Sequence, residues 1–526
     1  MQKRENNNYD GKIVLVYIHD TDSYKALPVG LQYLGSHVKR EGYEVKILNL
    51  YLDKVIDNLP ENYKELLKKE CENSIILGIS AMTNQAYRGL QISEFVKKIY
   101  PKICVVWGGI HGTLFPEDTC ENPNIDFIVM GEGEITFSEL LNNLGKSKNY
   151  SKIDGLAYKS GKKVYVTKKR ALIDMSKMAI PDWDIVDEFV KENIYQYFWG
   201  DNLKFTEVHT GRGCPHRCNF CIDSILYGKT WRPRKVDSIL DEIEMLIKRY
   251  NIDLIELRDE NFFVDLKRVE EFCDKKIKRG INIKWGASIR ADYFERIDDN
   301  FMKKLKDSNC YRFWFGAESG SQRILDLIKK DVKLSSLYKS AHMSKKYGIM
   351  PLYSFMIGQP GETKEEMKQT VVLIKNLINI NKRTGILGPQ ILRPYPGCEM
   401  FDMCVKEGFE SPKKLEEWRD LDRISLYYLS TDSLPWIKDK EFVEVVAYYT
   451  PKAFNMSYLV GINFFWKLLF GLRSKLFQFG LFAFMGTSEK SLMRILLKEY
   501  LKIIDQSSDI GKGFVKRFTK ILKYSA

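Results

Sequence analysis

The chain has 526 residues, with 82 Lys and Arg against 69 Asp and Glu, and a formal net charge of +13. At about 100–200 residues per domain this length predicts about three domains, and 44% hydrophobic with 29% charged residues excludes bulk disorder and fibrous repeats. The positive excess is local: residues 451–526 carry 13 Lys or Arg and 4 Asp or Glu, a net of +9, leaving +4 for the other 450 residues, so the body of the chain makes nucleic acid an unlikely partner.

In chain order, MQKRENNNYDGK lacks the apolar run of a signal peptide. A buried strand is predicted over 12–18 (KIVLVYI), a helix over 30–41 closed by Gly42, and a strand over 44–50. A helix near 61–72, a strand at 75–79, a helix at 86–100 before Pro101, strands at 103–107 and 126–130, and a helix from 134 follow. This alternation predicts an α/β fold whose N-terminal domain, 1–150, is a doubly wound parallel sheet of Rossmann-like form. Ligands of such sheets sit at the C-terminal strand ends. That edge carries Ser80, Gly108, Gly109, His111, Thr113, Gly131 and Glu132.

Residues 151–196 read as a linker with a small hairpin. Strands are then predicted near 205–210, 253–258, 283–287, 311–316, 351–356 and 386–392. With helices between them they predict a full or partial β/α (TIM-type) barrel over 197–400. From 401 to 526 the pattern is mainly helical and basic. No stretch reaches the 18 apolar residues of a membrane span, so the expected location is cytoplasmic.

Seven of the ten cysteines are scattered singly and read as small buried core residues. Cys214, Cys218 and Cys221 instead share one loop, GRGCPHRCNFC. Three thiolates leave one iron of a [4Fe–4S] cluster open to an outside ligand. Structural zinc, with His216 or His209 as fourth ligand, is the competing reading; chance clustering of core cysteines is a third.

The C-x3-C-x2-C loop, with Phe220 before its third cysteine, resembles the signature of the radical S-adenosylmethionine superfamily. The resemblance implies that Cys214, Cys218 and Cys221 ligate three irons and that S-adenosylmethionine chelates the fourth. Electron transfer then yields a 5′-deoxyadenosyl radical. It further implies that Phe220 flanks the adenine. IELRDENF (255–262) resembles the acidic segment that receives the methionyl amino group, through Asp259 or Glu260. WGASIRAD (285–292) places Arg290 where it pairs with a carboxylate, and FWFGAESGS (313–321) offers Glu318 to ribose hydroxyls. GQPGET (358–363) and RPYPGCEMF (393–401) match later loops.

The series PVGLQYLGSHVKREGYEVKILNL, GISAMT, WGGIHGTLFPE and IVMGEGE resembles the cobalamin-binding domain that precedes the radical domain in one branch, often of methyltransferases. Through it the edge residues Ser80, Gly108, Gly109, His111, Thr113, Gly131 and Glu132 become candidate cobalamin contacts. The D-x-H-x-x-G motif that supplies a cobalt-ligating His elsewhere is absent. Together these resemblances cover about residues 1–400. They imply three cofactors and methyl transfer to an unactivated carbon, or phosphorus, of a small-molecule or lipid-like substrate. A reductant protein of flavodoxin or ferredoxin type would supply electrons. A cobalamin-associated radical cyclase, rearrangement or oxidation enzyme is the alternative, and a cluster- or zinc-bearing nucleic-acid-binding protein the non-enzymatic one. Segments 454–485 and 488–504 mix Phe and Leu with Lys and Arg. They read first as helices packing on the barrel and second as a peripheral membrane contact.

Overall fold

A computed structural model of the chain describes residues 11–20, 25–52, 58–144, 149–194, 203–419 and 431–454. It divides into two compact units, residues 1–455 and 456–526. The second unit falls outside the described residues, as do segment 488–504 and all but Phe454 of segment 454–485 singled out above.

β1 (Lys12–Asp20), β2 (Glu44–Leu52), β3 (Ser74–Ser80), β4 (Cys104–Gly108) and β5 (Phe127–Val129) form a parallel sheet in the order β2-β1-β3-β4-β5. Apolar residues run unbroken through β1 because both faces are covered. Ile13 and Leu15 enter one core with Ile76 and Val106, while Val14, Val16 and Ile18 enter another with Leu77, Ile79 and Trp107. Alternate residues point to opposite faces, so a continuous apolar strand feeds two cores. The first core continues through Trp183, Val186 and Phe189 into the barrel.

Residues 151–196, expected as a linker with a small hairpin, include β6 (Leu156–Ser160) and β7 (Lys163–Val166). The hairpin forms, but β6 pairs antiparallel with β5 and extends the first sheet to seven strands. Turn signals reveal a hairpin; they do not reveal which sheet edge it joins.

The second sheet contains β8 (Phe205–Val208), β11 (Leu254–Leu257), β12 (Lys284–Ser288), β13 (Cys310–Glu318), β14 (Met350–Ile357) and β15 (Gly385–Ile391). They pair in chain order and all parallel, as a six-stranded partial barrel. Ile255 and Leu257 pack outward with Val269 and Phe272 of helix Leu266–Lys278, which turns Glu256 inward. Glu207, Glu256, Gly286 and Arg312 share one register row across four strands. Arg312 Nε donates to Glu256, and Trp314 Nε1 donates to the same carboxylate at 2.9 Å. Gly286 makes room: a Cβ there would lie 2.7 Å from Glu256 Oε2 and 2.8 Å from Arg312 Cγ.

Between β8 and β11, the short strands β9 (Gly211–Arg212) and β10 (Arg232–Pro233) pair antiparallel and pinch the base of the three-cysteine loop. After the barrel, helix Glu399–Lys406 leads to Leu415 and Trp418, which enter the second core of the first sheet. Helix Lys440–Phe454 follows, and just before it Trp436 Nε1 donates to the Gly358 carbonyl at 2.7 Å.

Candidate cluster and cofactor site

The segment 327–331, at the end of the helix Gln322–Leu327 that follows β13, clamps the three-cysteine loop. Asn219 N donates to Ile328 O at 3.1 Å and Asn219 Nδ2 to Leu327 O at 2.9 Å. Arg217 holds Asp331 through two bonds of 2.9 Å, a bidentate fork. On the other side His216 Nε2 shares a 2.9 Å hydrogen bond with Tyr293 OH, which also accepts from Asn261 Nδ2 at 3.0 Å. Burial, aided by the Arg290 charge, pushes the His216 pKa down to about 4.

Cys218 is buried, while Cys214 and Cys221 are half-buried. Arg290 Nη1 donates to Cys218 Sγ at 3.5 Å, and Cys221 Sγ donates to Asp223 Oδ2 at 3.3 Å. Among the described residues, no three His, Cys, Asp or Glu side chains converge on one metal-ion position. A closed zinc site needs a fourth protein ligand, whereas a [4Fe–4S] cluster takes each thiolate on a different iron and leaves one iron open. With His216 engaged by Tyr293, the donor set suits the cluster.

The S-adenosylmethionine candidates surround this loop with altered roles. Asp259 is buried, and its carboxylate accepts from Thr210 N at 2.6 Å and from Thr210 Oγ1 at 2.5 Å. Glu260 Oε2 accepts from Gly213 N at 3.1 Å. Burial, with the neighbouring Asp223 charge, pushes Glu260 up to about 7. Glu260 beside Asp223 therefore forms an acidic pair that an incoming ammonium would stabilise. Arg290 Nε takes its carboxylate from within the chain, Asp292, at 2.9 Å. Glu318 sits at φ +61° and accepts from buried Lys330 Nζ at 2.9 Å. That ammonium also lies 5.7 Å from the Phe220 ring centroid. Lys330, Asp223 and the Arg217–Asp331 fork went unread in the sequence, since isolated charges outside a motif look like solvated surface.

On the first sheet, Ser80, Gly108 and Gly131 lie at or just past the ends of β3, β4 and β5, beside the β1/β3 switch point where ligands of such sheets bind. Gly109, at φ +83°, has no room for a side chain: a Cβ would meet Ala81 O at 2.8 Å and Ser80 Oγ at 3.0 Å. A Cβ at Gly131 would meet nothing within 4 Å, so the backbone is open to solvent at this edge. Thr113 Oγ1 ties the two loops, donating to Gly109 O at 2.7 Å and accepting from Gly131 N at 2.9 Å.

Two of the candidate cobalamin residues are engaged within the chain. His111 is buried beneath Trp107, Phe115 and Trp418, and neither ring nitrogen has a hydrogen-bond partner. It occupies the inward face of helix Gly109–Leu114, away from that edge. Glu132 is consumed by a bridge to the second domain. It accepts from Arg212 Nη1 at 3.1 Å and from Arg232 at 2.8 and 2.9 Å, while Arg212 Nη2 reaches Glu134 at 2.6 Å. Arg212 immediately precedes the cysteine loop, so the two cofactor regions share one ionic hinge pin. They also meet at Gly397, where a Cβ would lie 2.6 Å from Leu114 Cδ2 and 3.0 Å from Ile222 Cδ1.

Comparison with known proteins agrees with this geometry. Residues 18–141 match the B12 binding domain model and residues 208–374 the Radical SAM superfamily model. An uncharacterized methyltransferase of Pyrococcus horikoshii is 32% identical over 433 residues, 81% of this chain and 88% of that one. The anaerobic magnesium-protoporphyrin IX monomethyl ester cyclase of Rubrivivax gelatinosus is 25% identical over 508 residues, 92% of this chain and 86% of that one. Among solved structures, the radical S-adenosylmethionine methyltransferase TsrM of Kitasatospora setae superposes with a TM-score of 0.61 at 16% identity, covering 77% of this chain and 82% of that one. A B12-binding sheet joined to a radical S-adenosylmethionine barrel, with a relative alike over most of both chains, places this protein in the family of cobalamin-binding radical S-adenosylmethionine enzymes.

Proposed function

We propose that the enzyme methylates an unactivated carbon, or phosphorus, of a small-molecule, lipid-like or natural-product substrate. The observation that carries this reading is the 32% identity to a relative named as a methyltransferase, over most of both chains. In this reading Cys214, Cys218 and Cys221 hold the cluster. Phe220, Glu260, Arg290 and Glu318 surround S-adenosylmethionine, and Ser80, Gly108, Gly109, Thr113 and Gly131 form the cobalamin cradle. The cobalamin lobe ends after β7, and the barrel runs from β8 to β15.

When bound, the cluster with S-adenosylmethionine supplies a radical initiator, and cobalamin supplies a methyl carrier. The chain's own residues position these groups and keep water out. The 327–331 clamp holds the cysteine loop, the Arg212 bridge keeps the first sheet's edge against it, and the Glu256–Arg312 pair fills the barrel interior. Glu260 and Asp223 favour an ammonium by charge.

Anaerobic reconstitution with cobalamin, S-adenosylmethionine and reductant, incubated with metabolite extract, tests the reading. Expected products are 5′-deoxyadenosine and S-adenosylhomocysteine together, with an extract component about 14 daltons heavier by one added CH₂. Deoxyadenosine without S-adenosylhomocysteine would overturn methylation in favour of the radical cyclase reading, which rests on the likeness to the Rubrivivax cyclase over 92% of this chain.

An electron donor of flavodoxin or ferredoxin type and a cytoplasmic location belong to the same proposal. Among the described residues no helix is long and apolar enough to cross a membrane. Peripheral contact through residues 456–526 is tested by co-sedimentation with anionic vesicles, full chain against a chain ending at 455. Equal binding by both, or none by either, would remove it.

A further inference from the structure

We propose that Arg290 sets the reduction potential of the cluster through a hydrogen bond to the Cys218 thiolate, an inference that rests on the cluster assignment above. The sequence pattern suggested a clamp for a carboxylate. The structure gives the guanidinium a different task. Arg290 is 7% exposed and is held from two sides. Its Nε donates to Asp292 Oδ1 at 2.9 Å, and its Nη2 donates to the Lys330 carbonyl.

That carbonyl is itself fixed. Lys330 N donates to Leu325 O at 2.9 Å, and the next residue, Asp331, is forked by Arg217 of the cysteine loop. A rigid planar fork anchored along two edges cannot swing away from its third. The third edge is Nη1, directed at Cys218 Sγ at 3.5 Å.

Net charge and hydrogen bonds to the sulfurs are among the factors that set iron–sulfur potentials. One electron from an external reductant, dithionite in the assay, converts [4Fe–4S]2+ into [4Fe–4S]+. No bond forms or breaks, and the added negative charge resides on the cluster and its thiolates. A donated N–H from a buried cation stabilises that reduced state more than the oxidised one. The neighbouring Lys330 ammonium is already paired with Glu318, while the Arg290 partner Asp292 is 28% exposed, so solvent screens its opposing charge only in part. Arg290 is thus a buried cation whose N–H reaches the sulfur directly.

The test is a dithionite titration monitored by electron paramagnetic resonance on the reconstituted full chain, comparing parent, Arg290→Lys and Arg290→Gln. Arg290→Gln is expected to make reduction at least about tenfold less favourable, about 59 mV for one electron. Arg290→Lys, which keeps charge but loses the fork, is expected to fall between. A midpoint for Arg290→Gln equal to the parent's, at equal iron content, would overturn the proposal. Should Arg290→Gln fail to take up iron, Asp292→Asn decides: removing the counter-charge is expected to make reduction easier, and no change or the opposite sign overturns it. A parent chain that takes up no cluster would instead refute the cluster assignment, whereas a loaded parent with unshifted variants refutes only the role of Arg290.

Discussion

At the scale of single residues, side-chain environment separates the proposed ligands from their neighbours. Serine replacements of Cys214, Cys218 or Cys221 are each expected to reduce bound iron well below about four per chain and to abolish S-adenosylmethionine cleavage. Far-UV circular dichroism should be unchanged, because the loop backbone is held by segment 327–331 and β9–β10 and not by the sulfurs. A variant that keeps full iron removes that cysteine from the ligand set. His111 makes a pH prediction. Burial pushes its pKa from 6.5 down to about 3, so the native state resists a proton that the unfolded chain binds. Its stabilising contribution is present above pH 6.5 and is lost as the pH falls toward 3. At pH 5 the loss is about 2 kcal/mol. His111→Phe should therefore gain about 2 kcal/mol relative to the parent between pH 8 and pH 5 in urea unfolding; parallel pH profiles would refute the neutral, buried histidine.

At the scale of elements, the barrel interior depends on one row of residues contributed by four strands. Arg312 and Glu256 are 1% and 2% exposed, and breaking a buried pair from one side costs about 3–5 kcal/mol. Arg312→Met is expected to lower stability by about that much, and adding Glu256→Gln should restore part of it, because the orphaned charge is what costs. Failure of the double variant to recover any stability would show that packing and not charge dominates. The strands themselves were legible from apolar runs: every expected strand of both sheets exists, with ends shifted by no more than about two residues. The edge joined by the β6–β7 hairpin was not legible, because an exposed hairpin carries the same turn signals wherever it docks.

At the scale of the whole molecule, the two cofactor regions are held together by Arg212, which spans Glu132 and Glu134 from 13% exposure. Arg212→Met is expected to cost about 3–5 kcal/mol and to split a single calorimetric transition into two, with weaker cobalamin retention after gel filtration. One undivided transition with full cobalamin retention would mean that the shared apolar core alone holds the lobes in place. Trp418 adds a second tie by returning from beyond the barrel to cover His111 in the first lobe. A region expected simply as a helical C-terminal module thus begins as part of the cobalamin lobe's core.

By itself the sequence determined the two folds, their order, and the cysteine loop. Each is written locally: strands in runs of apolar residues, helices in 3.6-residue periodicity, the three cysteines in a spacing within eight residues. Only the tertiary structure decided what each charged or polar candidate does. Glu132 became an interdomain bridge, His111 a core residue, Asp259 an acceptor for Thr210, and Arg290 a donor to Cys218. A charge carries no record in its own neighbourhood of which distant group will meet it. Electrostatic roles are set by residues tens to hundreds of positions apart, and these become neighbours only when the chain has packed.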